Sequence, residues 1–388
     1  MDMMYIEDCC EILDSMRVPI TASDREEGDY PYYGANGIQD HVADYIFDDE
    51  LVLLAEDGGN FGSKEKPIAY RVSGKCWINN HAHVLKPKIG LDVDYLCYSL
   101  MFYNVDGMVN GATRQKLTQA AMRKMQIPSR SIEDQKHIVD ELNRIVKIKE
   151  QRFLELQLLD KLIKARFVEM FGDLNINDKG WREISLFDAC NKLKRYPTFC
   201  NMEYLAQGVR VIRISNILMD GHMDVDDENY VFVYDGANID FPDTVIELQD
   251  IVMAVRGDGS AAKRIGIIQE EKLVGANISP NLIRIQAKRE IIEPVWLFYY
   301  LTSEVGQKRL DAYVNKTAKK NIAAKDIAKI VTPVPDLNKQ KQYVDFANQV
   351  DKSKLLSLIK LLEQLITYLY NVFIIYRQDK GEEVERHE

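Results

Sequence analysis

The chain has 388 residues, of which 46% are hydrophobic and 28% are charged, and its formal net charge is −10 at pH 7. This composition is typical of a globular protein with about two or three domains and a large core, and the acidic balance argues against a generic nucleic-acid binder. No apolar run approaches the ~20 residues that a membrane-spanning helix needs, and the N-terminal segment lacks the basic and apolar parts of a signal peptide. We therefore expect a cytoplasmic protein with no membrane partner.

Residues 1–110 have the pattern of a mixed, mostly β region. Gly-rich turns such as Asp57–Asn60 separate short apolar runs, which is how strands are marked in a sequence. The runs predict four strands and then a short helix, at Asp44–Phe47, Leu51–Ala55, Ile68–Val72, His83–Leu85 and Asp94–Tyr103.

The segment Asn79–His83 is the nearest approach to a catalytic or metal-binding cluster. His81 and His83 are two residues apart, which on a strand places both on one face. No third ligand is near them in the sequence, and the six cysteines form no C-x-x-C pair, so we predict no metal site. Hydrogen bonding of His81 to DNA or to the backbone is the favoured interpretation.

Residues 111–130 carry five bases and no acid. Thr113, Arg114 and Lys116 come just before a short helix pattern, and a helix N-terminus with Thr, Lys and Arg is a natural phosphate clamp. A solvated helix face is the alternative that the same residues allow.

An uninterrupted apolar periodicity then predicts a long helix over residues 131–173, in which Gly172 is the first glycine. A helix of about 35–40 residues is roughly 50–60 Å long. That length exceeds an ordinary globular helix and favours a coiled-coil seam.

Residues 181–315 repeat the plan of the first region. Arg256–Gly259 stands where Glu56–Gly59 stands, at an offset of 200. Residues 220–250 hold ten acids and no base, so the negative charge is concentrated away from the basic stretches. The predicted strands and the helix that follows them are Val209–Ile214, Tyr230–Val233, Asp250–Val255, Arg264–Ile268, Leu282–Ile285 and Pro294–Ser303.

The chain is an internal duplication. Residues 111–147 align without a gap to 316–352 at an offset of 205, so that Pro128 pairs with Pro333 and Gln135 with Gln340. A period this long indicates two similar half-molecules, because solenoid repeats run about 20–50 residues. A pseudo-twofold chain suits a target that is itself roughly twofold, and double-stranded DNA is the commonest such target.

The predicted fold class is α+β. Two similar mixed, β-rich domains are separated by two long antiparallel coiled-coil helices in a pseudo-twofold arrangement, although a parallel homodimer seam remains open. The predicted segments are residues 1–130 and 174–335 for the domains, 131–173 and 336–380 for the helices, and 381–388 for a charged tail.

The candidate functional residues are those suited to recognition of DNA. Arg pairs with guanine and Asn with adenine, whereas Lys, Arg and Thr suit phosphates. The phosphate candidates are Thr113, Arg114, Lys116 and Lys124 in the first half, and Thr317, Lys319, Lys320 and Asn321 in the second. The candidates for base edges are Asn36, Arg71, Asn79, Asn80 and His81, then Arg213, Asn216, Arg256 and Arg264.

Catalytic motifs are missing from the sequence. It has no G-x-x-x-x-G-K-[ST] phosphate loop and no H-E-x-x-H metal motif, and Asn277–Pro280 lacks the aromatic residue of the N-P-P-[FY] motif of adenine methyltransferases. We predict a chain without a catalytic site or a cofactor of its own. A cytoplasmic coiled-coil scaffold or protein-interaction module, in which the bases are solvated surface, is the alternative.

At this point the chain resembles a known family, the specificity (S) subunit of type I restriction-modification systems. The resemblance covers essentially the whole chain and depends on the order of the motifs together with the duplication. The matching segments are Tyr30–Ile38 (YPYYGANGI), Val211–Ile217 (VIRISNI), Asn79–Leu85 (NNHAHVL), Gly111–Pro128, Glu133–Leu142 (EDQKHIVDEL) and Arg166–Trp181.

The resemblance implies a non-catalytic subunit that reads a bipartite DNA target with two target-recognition domains. It would bind two methyltransferase subunits, which carry S-adenosylmethionine and methylate adenine. Those in turn permit restriction subunits, which cleave DNA, to join the complex.

Overall fold

The computed structural model describes residues 2–111, 114–195, 203–257, 260–315 and 320–378. The chain divides into two compact units, unit 1 with Met1–Arg152 and Ile359–Glu388, and unit 2 with Phe153–Leu358. Within the described ranges no helix is both long and apolar enough to cross a membrane.

Unit 1 is built on a six-stranded sheet in the order β2-β7-β5-β6-β3-β4, with β1 paired to β10 and β8 to β9. Its strands are β1 Met3–Tyr5, β2 Cys10–Ile12, β3 Glu27–Gly34, β4 Gly37–Val42, β5 Phe47–Ala55, β6 Ala69–Ile78, β7 Ala82–Pro87, β8 Val109–Asn110, β9 Lys116–Leu117 and β10 Gln126–Pro128. Its helices are α1 Ile6–Cys9, α2 Val93–Met101, α3 Gln119–Arg123 and the first part of α4 Ile132–Phe171.

Unit 2 contains a four-stranded sheet in the order β12-β18-β15-β16, a three-stranded sheet β14-β13-β17 and the pair β11-β19. The strands are β11 Arg182–Ser185, β12 Cys190–Arg195, β13 Val209–Ile212, β14 Val231–Val233, β15 Ile251–Ala254, β16 Ile265–Ile267, β17 Asn277–Ile278, β18 Leu282–Ala287 and β19 Val331–Val334. The helices are α5 Leu186–Ala189, α6 Ala237–Asp240, α7 Pro294–Thr302, α8 Glu304–Asp311, α9 Ala324–Ile327, the second part of α4 and the first part of α10 Leu337–Gln378, whose last part belongs to unit 1.

The central strand of each unit is buried on both faces. In β5, Leu51 and Leu53 enter one apolar cluster while Val52 and Leu54 enter another, because successive side chains of a strand point to opposite faces. The four residues of β15 divide between two clusters in the same alternation. A run of consecutive apolar residues therefore forms a strand with a hydrophobic core on each face. After its last residue the chain leaves the sheet at its edge.

The long helices run antiparallel in unit 2. Along them Glu155 contacts Ser357 (Oε2 to Oγ, 3.0 Å), and Asp160 contacts Lys354 (Oδ1 to Nζ, 2.6 Å). The residue number rises on α4 as it falls on α10, which confirms the predicted antiparallel packing in this unit. Phe167 of α4 packs with its ring centroid 5.2 Å from that of Tyr343 of α10.

The structure differs from the predicted elements of the first region most clearly at two places. The strand predicted at Asp44–Phe47 is wrong, because residues 44–46 lie outside the strands and the side chain of Asp44 accepts a hydrogen bond from the N–H of Tyr45. The hairpin of β3 and β4 was not predicted, since its tyrosines, glycines and acids lack the apolar alternation that marks a half-buried strand.

Candidate nucleic-acid interface

The chain leaves β5 through a turn at Glu56–Gly58, which we call the first strand-end turn. The N–H of Glu56 donates to His81 O (2.9 Å), and the N–H of Leu117 donates to Glu56 O (2.7 Å). The N–H of Gly58 donates to Gln115 O (3.2 Å). These backbone bonds bring the basic segment before α3 and the loop before β7 to the same edge of the sheet.

Asp57 organises the exposed side of this turn. Its Oδ1 accepts a hydrogen bond from Nη2 of Arg114 (2.5 Å), and Nδ1 of His81 lies 2.8 Å from the same oxygen. The side chain of Asp57 is 18% exposed and that of Arg114 is 60% exposed, so the carboxylate lies beneath the guanidinium. Asn36, in the turn of the β3–β4 hairpin, donates from Nδ2 to Gly58 O (3.0 Å) and joins the same cluster.

An ionic network fills the buried side of the turn. Glu56 accepts from Nη1 of Arg17 (2.6 Å) and from Nζ of Lys116 (2.9 Å). His83 is fully buried, with Nδ1 2.7 Å from Oδ2 of Asp14 and Nε2 2.9 Å from the carbonyl oxygen of Leu117. Each ring nitrogen therefore lies within hydrogen-bond distance of an oxygen atom.

The two acids of the network are held in the ionised form. Burial alone would raise the pKa of Asp14, but hydrogen bonding and the charge of His83 outweigh it and lower that pKa below its ordinary value. Burial likewise raises the pKa of Glu56, and hydrogen bonds from Arg17 and Lys116 outweigh it so that the net shift is downward.

The same network bears on the prediction about metals. Ligand atoms of Asp14, Glu56 and His83 lie within 4.8 Å of one another, so the fold supplies the ligands that the local sequence lacks. Two cationic side chains already bind Glu56, and the amide of Gln119 donates to Asp14 (2.9 Å). We interpret the group as an ionic network in the described part of the chain, and we assign it no metal.

Unit 2 has an equivalent turn after β15 at Val255–Gly257, the second strand-end turn. The N–H of Val255 donates to Asn281 O (2.8 Å), and the N–H of Ile322 donates to Val255 O (3.0 Å). Val255 therefore occupies the position of Glu56, and Arg256 that of Asp57. The alignment at an offset of 200, which matched Arg256 with Glu56, is wrong by one residue here because backbone hydrogen bonds define the equivalence.

Two arginines converge at the second strand-end turn. Arg256 is exposed, and its side chain has no bonded partner among the residues that the structure describes. Arg195 donates from Nε to Pro280 O (2.8 Å), and within the described ranges its Nη2 is buried without a hydrogen-bond partner. Burial lowers the pKa of Arg195, and the charge of Arg256 lowers it further, as expected of neighbouring cations.

Two candidates for base contacts are buried and have structural roles instead, which corrects the prediction for them. Asn216 is fully buried and donates to Asn229 O, and Asn79 is 3% exposed and donates to Gln39. Neither amide can reach a base from such a position. Three further candidates are partly exposed and bond within their own unit, so a base contact remains a prediction for them: Arg213 bonds to Asn229 O, Arg264 to Ile217 O, and Arg71 to Glu50 and Asp94.

The other predicted residues lie at the surface or outside the described ranges. Asn80, Lys124 and Lys320 are exposed. Asn321 forms a β-bridge with Arg256, and this places the second basic segment against the second strand-end turn. Thr113, Thr317 and Lys319 lie outside the described residues.

Acidic residues are what the sequence analysis missed. Glu56 and Asp57 have the pattern of turn residues, and Asp14 and Arg17 belong to none of the motifs described above. The signal available in the sequence was the pair of acids directly after a fully apolar strand run, a position at the edge of a sheet. Glu56 bonds to Arg17, which is 39 residues away, and Asp14 to His83, which is 69 residues away, and such pairs cannot be read from spacing.

Comparisons of the sequence with a family model and with curated proteins point to the same family. A family model described as the type I restriction modification DNA specificity domain matches residues 1–158 and 178–367. A type I restriction enzyme specificity subunit of Methanocaldococcus jannaschii is 23% identical over 381 residues, covering 90% of this chain and 86% of that protein. A candidate specificity subunit of Haemophilus influenzae is 36% identical over 140 residues, but the match spans only 36% of its length and 36% of this chain.

Solved structures share the fold over nearly the whole chain. The S subunit of a type I restriction-modification system from M. genitalium matches with a TM-score of 0.55 at 14% identity, covering 95% of this chain and 93% of that one. A second structure, from a study of the assembly of the type I system, matches with a TM-score of 0.54 at 14% identity and covers 95% of both chains. These likenesses agree with the predicted fold class.

Proposed function

Because the chain belongs to the family of type I restriction-modification DNA specificity proteins, we propose that it recognises a bipartite sequence in double-stranded DNA. It directs adenine methylation and DNA cleavage, and these reactions take place in partner subunits. The observation that carries the proposal is the recurrence of one surface in both units. Each unit ends its central strand in a turn that is hydrogen-bonded to a basic segment.

The chemistry of the two turns suits a DNA duplex. Arg114 and Arg256 present exposed guanidinium groups, which pair bidentately with guanine or with phosphate. Lys116 and Lys320 are exposed beside them and suit phosphates. The net charge of −10 does not oppose this function, because the bases are placed locally at the turns.

Partner subunits need a docking surface, and α4 supplies one within unit 2. Leu154, Leu158 and Leu162 are 55%, 53% and 46% exposed. They are four residues apart and so follow one side of the helix. We infer that such apolar stripes bind two methyltransferase subunits, which hold S-adenosylmethionine, and that restriction subunits join through that complex. The assembly then acts on DNA in the cytoplasm.

Methylome sequencing tests this function in the intact system. A host with its partner subunits is compared before and after deletion of the gene for this chain. Deletion should abolish methylation at one motif made of two specified parts and a gap of fixed length. Methylation that continues unchanged would contradict the proposal and favour the scaffold alternative.

Binding by the purified chain provides a second measurement. Affinity for duplex DNA should fall as salt rises, with a slope set by the number of phosphate contacts. A scaffold whose bases are only solvated surface would show no such affinity.

A further inference from the structure

The two strand-end turns have the same backbone and opposite charge. Asp57 and Arg256 each follow a residue that is held by equivalent hydrogen bonds, and each bridges to the basic segment of its unit, at Lys116 and at Asn321. An acid and a base at one position of a duplicated fold cannot present the same chemistry to DNA. This position is therefore where the two units differ most directly in what they can bind.

In unit 1 the acid prepares other side chains for binding. Asp57 fixes Arg114 and His81 through one carboxylate oxygen, over distances of 2.5 and 2.8 Å. A guanidinium has five N–H donors, so Arg114 keeps further donors for a ligand while its direction is set. Because Asp57 already restricts the side chain of Arg114, less conformational entropy is lost when Arg114 binds a ligand.

In unit 2 the base itself faces outward. Arg256 has no bonded side-chain partner among the described residues, and Arg195 beside it carries a buried Nη2 without a partner there. Two guanidinium groups in proximity favour a ligand rich in acceptors. The major-groove edge of guanine offers O6 and N7, which match a guanidinium bidentately.

We propose that this turn position determines the base preference of each half-site. Arg256 reads a guanine in the half-site of unit 2, and Asp57 is the positioning residue that directs Arg114 and His81 in the half-site of unit 1. The inference rests on the proposed function and adds the residues that make the two halves of the target different.

Substitutions at Arg256, examined by methylome sequencing in the intact system, test unit 2. Arg256→Ala should reduce discrimination at one base pair of one half-site by about 5- to 150-fold, with the other half-site unchanged. Arg256→Lys should not restore it, because an ammonium lacks the bidentate geometry of a guanidinium. Arg289→Ala is the matched control, since this exposed arginine lies beyond the opposite end of β18 from Asn281.

Asp57→Asn tests unit 1 with little change in size. Selectivity at the half-site of unit 1 should fall. Arg114, released from Asp57, becomes free to contact a phosphate, so the salt dependence of binding to random duplex should steepen by about one phosphate contact. If Asp57 acts through Arg114 and His81, adding Asp57→Asn to a variant that already carries Arg114→Ala and His81→Ala should cause no further loss of selectivity, and a further loss would overturn the positioning role. Asp106→Asn, another exposed acid of unit 1, is the control.

The outcomes separate the inference from the function beneath it. If the unsubstituted system methylates no bipartite motif, the proposed function is rejected. A bipartite motif that survives Arg256→Ala intact in both halves would overturn the inference alone. Full rescue by Arg256→Lys would also overturn it, because a phosphate contact requires only the charge.

Discussion

At the scale of single residues, the two units fill equivalent buried positions with side chains of different chemistry, ionic in unit 1 and apolar in unit 2. Glu56 and His83 belong to a buried ionic network in unit 1, whereas the equivalent positions of unit 2 hold Val255 and Ile283, which are fully buried. Replacing a buried ion pair by well-packed apolar residues is often neutral or stabilising. Unit 2 packs the equivalent positions without such a network, and we interpret the network of unit 1 as the support that holds Lys116 at the first strand-end turn.

Loss of the charge of Asp14 should weaken unit 1 in a pH-dependent way. Asp14→Asn leaves the buried ring of His83 without its carboxylate partner, and we expect a loss of about 3–5 kcal/mol near neutral pH. The pKa of Asp14 is lowered by folding, so the stability that it provides is present above its ordinary pKa of 3.8 and is lost as pH falls through the lowered value. The difference between variant and unsubstituted protein should therefore shrink below about pH 3.8.

Amide hydrogen exchange of peptides from β5 and β7 reports on this unit specifically. Asp29→Ala removes an exposed acid from the same unit and should leave the exchange unchanged. A gap between Asp14→Asn and the unsubstituted protein that persists undiminished at acid pH would argue against an ionised Asp14.

At the scale of elements, both long helices begin with the same joint. Near the start of α4, the buried Gln135 accepts from the N–H of Asp92 (2.7 Å) and donates to Gly90 O and Arg130 O. Near the start of α10, Gln340 accepts from the N–H of Glu293 (2.8 Å) and donates to Ile291 O and Pro335 O. One glutamine side chain thereby connects α4 to the loop before α2, and another connects α10 to the loop before α7.

Removal of this joint should destabilise the unit that contains it. Gln135→Ala leaves one backbone donor and two acceptors without their partner, and an unsatisfied buried group costs about 1–3 kcal/mol. The expected result is a lower urea midpoint for unit 1 with an unchanged m-value. Gln157→Ala, which removes an exposed glutamine from the same helix, should have almost no effect. Equal midpoints for the two variants would mean that water replaces the joint without loss.

The apolar stripe on α4 makes a separate prediction about assembly. Leu158→Lys places a charge in the middle of the stripe and should reduce co-purification of the methyltransferase subunit at least tenfold, while binding of the isolated chain to duplex DNA remains. Gln157→Lys adds the same charge beside the stripe and should assemble normally. Normal assembly of both variants would exclude this face as the docking surface.

The sequence predicts these elements better than it predicts the site. Apolar runs mark β5 and β15, periodicity marks both long helices, and the offset of 205 pairs Gln135 with Gln340, because each is a local or repeated signal. The contacts around the first strand-end turn join Gln119 to Asp14 across 105 residues and Arg114 to Asp57 across 57. Such pairs depend on strand order, which the pattern of a single strand does not encode.

At the scale of the whole molecule, two recognition units share one pair of long helices. The 40 residues of α4 correspond to about 60 Å. If the helices set the distance between half-sites, their length determines the gap in the recognised sequence. Glu155 of α4 lies opposite Ser357 of α10, so these two residues mark the same height along both helices.

Lengthening both helices at this level should lengthen the gap. Four residues inserted after Glu155 and four after Leu356 add about one turn, or about 6 Å, to each helix and nearly preserve the seam. Base pairs are about 3.4 Å apart, so the gap should grow by one or two base pairs while both half-site sequences stay the same. Methylome sequencing measures the gap, and an unchanged gap in an active variant would reject the helices as its determinant. An insertion in α4 alone serves as the control and should destabilise the protein by breaking the seam.

The strand-end turns also have a consequence for how such a protein changes over generations. The bonds that fix each turn come from main-chain atoms, which every residue other than proline can supply. A mutation at Asp57 or Arg256 therefore alters the chemistry offered to DNA without removing the scaffold that presents it. If the turn position sets the base preference, as we propose, lineages can acquire new recognition sequences by single codon changes, and because the chain carries the turn twice, one half of the target can change while selection preserves the other.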